Sequence, residues 1–211
     1  EIAERFPLDR VLFIPSGLPP HKIESDVPSG EHRLEMTRLA TAPFPRFQVS
    51  DIEVRRKGPS YSIDTLRALL PKIPGELFFI VGIDAFLEIE SWKEAGRLLT
   101  LAHFIVLSRP EHPFSSLSRI PFAKNADPAL LRRLDRGEID RYAPTVSLPP
   151  SPSPKTLTFF QVRSCLISAT EIRRRLREGG DLKNLLPETV RSYIIKKNLY
   201  GLNHPEGSPK R

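Results

Sequence analysis

Leu77-Phe78-Phe79-Ile80-Val81 narrows the fold more than any other stretch, because five consecutive apolar residues leave a strand no polar face to turn to water. The run is short, β-branched and aromatic, so it predicts a central parallel strand covered on both faces. Gly82 follows at once and Asp84 two residues later, which brings a turn and a carboxylate to the strand's carboxyl end. That end is where open α/β sheets bind ligands. In the plainer reading Gly82 only ends the strand and Asp84 only caps the next helix, and for these two residues alone the plainer reading is favoured.

Strands and helices alternate on both sides of this run. Glu1 to Phe6 reads as the last turns of a helix, and Asp9 to Pro15 as a strand leading into the loop Ser16-Gly17-Leu18-Pro19-Pro20-His21-Lys22. Pro19 and Pro20 stiffen that loop, so His21 and Lys22 form a basic pair able to reach an anion, although solvated loop charges are the commoner case. Met36, Leu39 and Ala40 predict a helix over Glu31 to Thr41, closed by Pro43, and Phe47 to Val54 a further strand. Gly58-Pro59-Ser60-Tyr61-Ser62 forms a turn before a helix with Ile63, Leu66, Leu69 and Leu70 inward. Hydroxyls at such a start often do no more than cap.

After the apolar run, Ser91 and Glu94 stand at capping-box spacing, which puts Trp92 in the first turn of a helix with Leu98 and Leu99 buried. A Trp there is a core aromatic or a platform for a flat ring. His103 to Leu107 is the next strand, ending in Ser108-Arg109-Pro110, and the alternation predicts a parallel sheet. Regularity fails from Glu111 to Pro154, apart from a short helix after Asp127-Pro128 with Leu130, Leu131 and Leu134 inside and Gly137 just past it. This segment, 111–154, is expected to be a surface insertion. Thr156 to Val162 resumes as a strand.

The second informative stretch is Ile167-Ser168-Ala169-Thr170-Glu171-Ile172-Arg173. Ser168 and Glu171 have capping-box spacing, Ile172 and Leu176 share the inner face, and Gly179-Gly180 ends the helix. Free N–H groups at its start, with the Ser168 and Thr170 hydroxyls and the Arg173 guanidinium, make a credible anion site. Many helices with a capping box bind nothing. Pro187, Val190, Tyr193 and Ile194 build a last helix, and Gly201 ends it.

At 211 residues one α/β domain with a helical appendage is the expected organisation: 1–200, of which 163–200 is the helical C-terminal part, with 201–211 a tail. One Cys, no apolar run long enough to span a bilayer and no visible signal sequence predict a cytoplasmic chain without structural disulfides and without a membrane partner. Cys165 is expected to be a small core residue. The formal charge of +7 invites a polyanion, but much of the excess lies in Arg173, Arg174, Arg175, Arg177, Lys196, Lys197, Lys210 and Arg211. Phosphate-rich small ligands explain it as well as nucleic acid does.

Taken in order, several stretches resemble bacterial nicotinate-nucleotide adenylyltransferase, of the nucleotidylyltransferase superfamily. They are Phe13-Ile14-Pro15-Ser16-Gly17 through His21-Lys22, His32-Arg33 to Met36, Gly58-Pro59-Ser60-Tyr61-Ser62 through Asp64-Thr65-Leu66, Gly82-Ile83-Asp84, Trp92, His103 to Pro110, and Ile167 to Arg173. The resemblance implies a Rossmann-like parallel sheet with flanking helices, and adenylyl transfer from ATP to nicotinate mononucleotide. It further implies that Gly82 and Asp84 face the adenylate ribose and that Ser168, Thr170 and Arg173 face the ATP phosphates. Trp92 would stack on the nicotinate ring, Ser60, Tyr61 and Ser62 would line that pocket, and His21 and Lys22 would sit on a loop that closes over the substrates. Magnesium would come with ATP, no protein-built metal site is expected, and a homo-oligomer is compatible with the family.

The family's Gly-Gly-Thr-Phe-Asp-Pro-x-His-x-Gly-His stretch does not precede Glu1, and Ala169 stands where the family has Ser. The expectation is therefore a chain without the family's first central strand and without its catalytic histidines, impaired in turnover. Three alternatives stand beside this reading: an adenylyltransferase for another phosphorylated acceptor, a non-catalytic nucleotide-binding remnant, and a basic nucleic-acid-binding module. The last is the weakest, since the basic residues lie on helices without interleaved aromatics.

Overall fold

A computed structural model describes residues 1–18, 27–144, 154–163, 168–182 and 185–201. In chain order the regular elements begin with α1 (Ile2–Arg5), β1 (Val11–Phe13), α2 (Gly30–Thr41) and β2 (Phe47–Val49). Then come α3 (Ser62–Leu69), β3 (Phe78–Gly82), α4 (Ile83–Phe86), α5 (Ala95–Leu101), β4 (His103–Leu107), α6 (Pro128–Asp135), β5 (Arg141–Tyr142) and β6 (Leu157–Phe160). α7 (Ala169–Glu178) and α8 (Glu188–Lys196) close the order. Two compact units emerge, one of Glu1 with Tyr61–Cys165, the other of Ile2–Ser60 with Leu166–Arg211.

The Tyr61–Cys165 unit is built on a four-stranded sheet ordered β3-β4-β6-β5. β3 and β4 run parallel with Phe78 opposite His103 and Gly82 opposite Leu107, while β4 and β6 pair Phe104 with Leu157 and Leu107 with Phe160. β5 runs antiparallel on the outer edge, Arg141 opposite Phe160. The buried strand is β4, whose first four residues, His103 to Val106, are all buried. β3, expected at the centre, stands at the edge of this sheet among the described residues, and Phe78, Phe79 and Ile80 are only half-buried. Its apolar composition does place it in the hydrophobic unit, since Val81 and Phe79 pack in the same cluster as Phe86, Leu98, Phe104 and Phe159. Each such side chain, fully buried, stabilises the fold by roughly 1.5–3 kcal/mol before entropy is counted.

The expectation of a surface insertion over 111–154 fails. Phe114, Leu117, Ile120, Ala123, Ala126, Leu131 and Leu134 all belong to the main core, with Leu117, Leu131 and Leu134 at 0% exposure. The first part of the segment looks irregular because 3₁₀ turns, at Phe114–Arg119 and Pro121–Ala123, bury apolar residues without helical periodicity. α6 follows as expected: the Asp127 carboxylate accepts from the Ala129 N–H at 2.7 Å, and Pro128 occupies a first-turn position where no donor is needed. The Asp135 carboxylate then accepts from the Phe114 and Ser115 N–H groups, tying the end of α6 to the start of the first 3₁₀ turn.

The other unit holds the parallel pair β1 and β2, with Val11 opposite Phe47 and Phe13 opposite Val49. β2 stops well short of the expected Val54. Ser50 accepts the Ile52 N–H through its hydroxyl and the Asp51 carbonyl takes the Arg55 N–H, so local turns replace the ladder. α2 is capped by the Ser29 hydroxyl, which accepts from the His32 N–H, and it ends where Pro43 has no N–H to offer. Its Met36, Leu39 and Ala40 pack against a second hydrophobic cluster formed by Leu176 of α7, Leu182, Val190 and Ile194 of α8, and Leu199. Across that contact the His32 ring nitrogen Nδ1 and the Tyr193 hydroxyl lie 2.9 Å apart.

Among the described residues no helix is long and apolar enough to cross a membrane. Cys165 lies outside the described residues.

Candidate functional site

The carboxyl ends of β3 and β4 carry the first group of candidate residues. Gly82 is the N-cap of α4, in extended backbone, and Asp84 stands in the first turn of that helix. Asp84 Oδ1 lies 3.7 Å from Arg109 Nε, the arginine that leaves the end of β4. A Cβ built on Gly82 would collide with the Asp84 carboxylate and come within 2.8 Å of Arg109 Nε. Both obstacles are ends of exposed side chains that can swing aside and the φ of −73° suits any residue, so a side chain at position 82 would displace the two charged groups rather than strain the backbone. Both charged side chains remain about half exposed, 47% for Asp84 and 57% for Arg109. The edge therefore offers a carboxylate and a guanidinium to a polar ligand.

The second group surrounds Trp92. This residue is not in the first turn of a helix: α5 starts at Ala95, Ser91 donates its hydroxyl to the Glu88 carbonyl, and the expected Ser91–Glu94 box does not form. Trp92 sits in extended backbone between a 3₁₀ turn and α5. Its ring is half-buried and meets Phe79 of β3 edge-on, with 6.1 Å between centroids. Lys93, the next residue, places Nζ 4.8 Å from the centroid of the Tyr61 ring and 2.9 Å from Asp64 Oδ2. A cation held over a ring in this way keeps the aromatic oriented. Ser62 opens α3 directly after Tyr61.

Glu94 is held apart from these by Arg67, whose two terminal nitrogens donate to its two carboxylate oxygens at 2.9 and 2.6 Å. Those hydrogen bonds hold the Glu94 carboxyl below the ordinary carboxylate range and push the Arg67 guanidinium still higher. Neither residue stood out in the sequence as part of a site, because the fork joins positions 27 apart.

Ser60, in the other unit, does not cap α3. Its hydroxyl accepts the Gly17 N–H at 3.0 Å, and a Cβ on Gly17 would strike the Glu53 carbonyl and approach the Ser60 hydroxyl. Arg33 of α2 donates to the Gly17 carbonyl at 2.9 Å and to the Pro28 carbonyl at 3.2 Å, and burial lowers its pKa from the ordinary arginine value. His21 and Lys22 lie outside the described residues.

α7 supplies the last group. The Ser168 hydroxyl accepts from the Glu171 N–H at 3.1 Å, but only this half of the capping box forms. The Glu171 carboxylate turns away to Arg174 and Arg175, and their hydrogen bonds draw its pKa down to about 2. Arg173, by contrast, has no carboxylate partner among the described residues; its Nη2 donates to the Thr170 hydroxyl at 3.3 Å. Burial raises the Tyr200 hydroxyl pKa, and the positive fields of Arg173 and Arg33 oppose that rise. Ser168 and Thr170 are exposed, so hydroxyls and an unneutralised guanidinium gather at one helix start.

Comparison with known proteins now fixes the family. A profile described as cytidylyltransferase-like matches residues 1–175. Proteins named probable nicotinate-nucleotide adenylyltransferase match nearly the whole chain. That of Desulfitobacterium hafniense strain Y51 is 41% identical over 92% of this chain and 83% of its own length, and that of Tropheryma whipplei strain Twist 38% identical over 95% and 88%. The chain belongs to the nicotinate-nucleotide adenylyltransferases. Plasmodium falciparum nicotinic acid mononucleotide adenylyltransferase, in a structure complexed with NaAD, shares the fold of this adenylyltransferase with a TM-score of 0.61. The two are 19% identical, over 92% of this chain and 84% of that one. The Rossmann-like nucleotidyltransferase fold and the enzyme class are thereby established for this adenylyltransferase.

Among the described residues of this adenylyltransferase no cluster of three or more His, Cys, Asp or Glu side chains could hold a metal ion.

Proposed function

We propose that this chain transfers the adenylyl group of ATP to nicotinate mononucleotide, giving deamido-NAD and pyrophosphate in NAD biosynthesis. The phosphate oxygen of nicotinate mononucleotide forms a bond to the α-phosphorus of ATP. The bond from that phosphorus to the bridging oxygen breaks, and pyrophosphate leaves with the electron pair. The protein's part in such a transfer is positioning and charge neutralisation. The observation that carries the reading is the contrast between two candidate groups: an aromatic, Trp92, already held by Phe79, and a cation, Arg173, not yet neutralised by any described carboxylate.

In this reading Trp92 stacks on the nicotinate ring, and Ser60, Tyr61 and Ser62 line the pocket for it. Gly82 leaves room for the adenylate ribose and Asp84 accepts from its hydroxyls. Ser168, Thr170 and Arg173 bind the ATP phosphates, while His21 and Lys22 belong to the substrate-binding set. Magnesium comes with ATP and supplies further neutralisation of the triphosphate. The relatives' names support this choice of acceptor, as do the half-buried Trp92 and the Tyr61 ring held under Lys93.

The test is pyrophosphate release from ATP with a panel of acceptors. Release with nicotinate mononucleotide, lost on chelation of the divalent cation, is expected. Faster release with nicotinamide mononucleotide or with an unrelated phosphorylated acceptor would overturn the assignment of the acceptor, and saturable ATP binding with no release for any acceptor would reduce the chain to a nucleotide-binding remnant.

A further inference from the structure

Glu94 has φ 52° and ψ 44°, the left-handed region, which a residue with a Cβ adopts only at a cost unless its surroundings impose it. Here the imposing group is visible. Arg67, one turn beyond Asp64 on α3, grips both Glu94 carboxylate oxygens, and Asp64 grips Lys93. Residues 93 and 94 are thus staked side by side to the first two turns of the helix that Tyr61 and Ser62 begin. The backbone on either side is fixed as well. The Glu94 carbonyl accepts the first α5 bond from the Leu98 N–H, the Trp92 carbonyl accepts from the Ala95 N–H at 3.2 Å, and the Trp92 N–H donates to the Ile89 carbonyl at 3.1 Å.

We propose that the Arg67–Glu94 fork is a positioning device: it pins the left-handed turn after Trp92, and so sets the depth and angle at which the indole faces the acceptor ring. The proposal rests on the assignment of Trp92 to the acceptor in the preceding subsection. Arg67 and Glu94 themselves need touch no substrate. A fork of this kind is geometrically demanding, since two parallel N–H to oxygen bonds fix the carboxylate in plane and direction as a single charge contact would not. Fixing the turn in advance removes an ordering cost that ligand binding would otherwise bear. A surface ion pair between flexible side chains contributes little to stability, which makes a purely stabilising role for this pair a weak explanation of the strained backbone.

The chain has one Trp, so its fluorescence reports on residue 92 alone. Arg67→Ala and Glu94→Ala are each expected to shift the Trp92 emission maximum and lower its anisotropy. They should also weaken the quenching titration with nicotinate mononucleotide by about tenfold, the scale of losing one preorganising constraint, while ATP affinity stays unchanged. Glu94→Gly also lacks the fork but occupies the left-handed region without penalty, so it should recover part of the acceptor affinity that Glu94→Ala loses. A pair acting only through its charge would show no such recovery. Both positions of substitution are at the surface, and circular dichroism checks that each of the three variants is folded. Unchanged Trp92 emission and unchanged acceptor affinity in folded Arg67→Ala and Glu94→Ala would overturn the proposal. Altered emission with unchanged acceptor affinity would uphold the fork's hold on Trp92 and overturn instead the placement of Trp92 against the acceptor ring.

Discussion

The turn at Trp92 and the start of α7 are both rich in charge, yet the charges are used differently. Around Trp92 each cation has a partner: Lys93 meets Asp64 and Tyr61, and Arg67 meets Glu94. At α7 the pairing is lopsided. Glu171 and Glu178 take Arg174, Glu171 also takes Arg175, and Arg173 is left with a hydroxyl. A ring-binding surface gains from being rigid before the ligand arrives, because a flat aromatic contact has little energy to spend on ordering. A phosphate site gains from the reverse, a cation kept free of carboxylates so that the ligand need not displace one. The difference between the two regions is therefore a division between a surface preassembled by internal ion pairs and one whose counter-ion has still to come.

The sharpest break of this comparison comes from outside both regions, in the core beneath the first. If the Trp92 region is rigid because the whole Tyr61–Cys165 unit is tightly packed, a cavity beneath it should cost more than any change at the surface. Leu131 of α6 is fully buried in that core, and Leu131→Ala should lower unfolding free energy by about 2–5 kcal/mol. Chemical denaturation measures it. A loss below about 1 kcal/mol would show that segment 114–134 only covers the core, as a loop would.

Next in size is Arg173. Removing the cation in Arg173→Ala should cost ATP binding about 1.5–3 kcal/mol, the worth of hydrogen bonds to a charged ligand. The melting temperature should hardly move, since among the described residues Arg173 gives up only its hydrogen bond to Thr170. Arg173→Lys should keep the charge, lose the planar fork and fall between the two in turnover. A drop in melting temperature with unchanged ATP affinity would make Arg173 structural and end the contrast with Trp92.

Trp92→Ala should weaken nicotinate mononucleotide binding by about 1–3 kcal/mol, the range of one stacking contact, and leave ATP binding almost unaltered. Calorimetric titration with each ligand separates the two. Equal losses for both ligands would mean that the edge-on contact with Phe79 is the whole role of the ring.

Much of this arrangement can be read from local sequence, and its gaps have a common physical origin. β4, α2, α6, α7 and the start of α8 follow from apolar periodicity, caps and prolines, which act within a few residues. What escapes are uses of the same residues over long separations. Glu94 has the spacing of a capping-box acid after Ser91, but Arg67 reaches it first, and the helix starts later as a result. Ser60 looks like a helix-start hydroxyl and instead takes the Gly17 N–H, 43 positions away. Phe114 to Ala123 lacks periodicity because 3₁₀ turns bury residues at irregular intervals, so a core segment reads as an excursion. Among the candidate residues Gly82 with Asp84, and Ser168 with Thr170 and Arg173, are neighbours in sequence. Arg109, which completes the first pair, is visible only once β3 and β4 are laid side by side.

The smallest effect expected is in acid, and it distinguishes the two regions by titration. The Glu171 carboxyl is held at about 2 by hydrogen bonds from Arg174 and Arg175, below its value in an unfolded chain. A carboxyl depressed by folding adds stability that is complete above its unfolded pKa, near 4.3, and that is lost as pH falls from there toward the folded value. Glu94 is depressed in the same direction by Arg67 and should behave alike. Both are solvent-exposed, so each contribution is small and screened by salt. Glu171→Gln should accordingly flatten the fall in melting temperature between about pH 4.5 and pH 2 at low ionic strength, and the difference should shrink on adding salt. It should also leave ATP affinity at neutral pH unchanged, because Glu171 serves the arginines beside Arg173 and not Arg173 itself. Glu94→Gln should flatten the same acid limb but, unlike Glu171→Gln, change the Trp92 emission at neutral pH, where no acid titration is involved. If the two variants behaved identically at neutral pH, the ion pairs at Trp92 would be as incidental to ligand binding as those along α7, and the contrast between the two regions would fail.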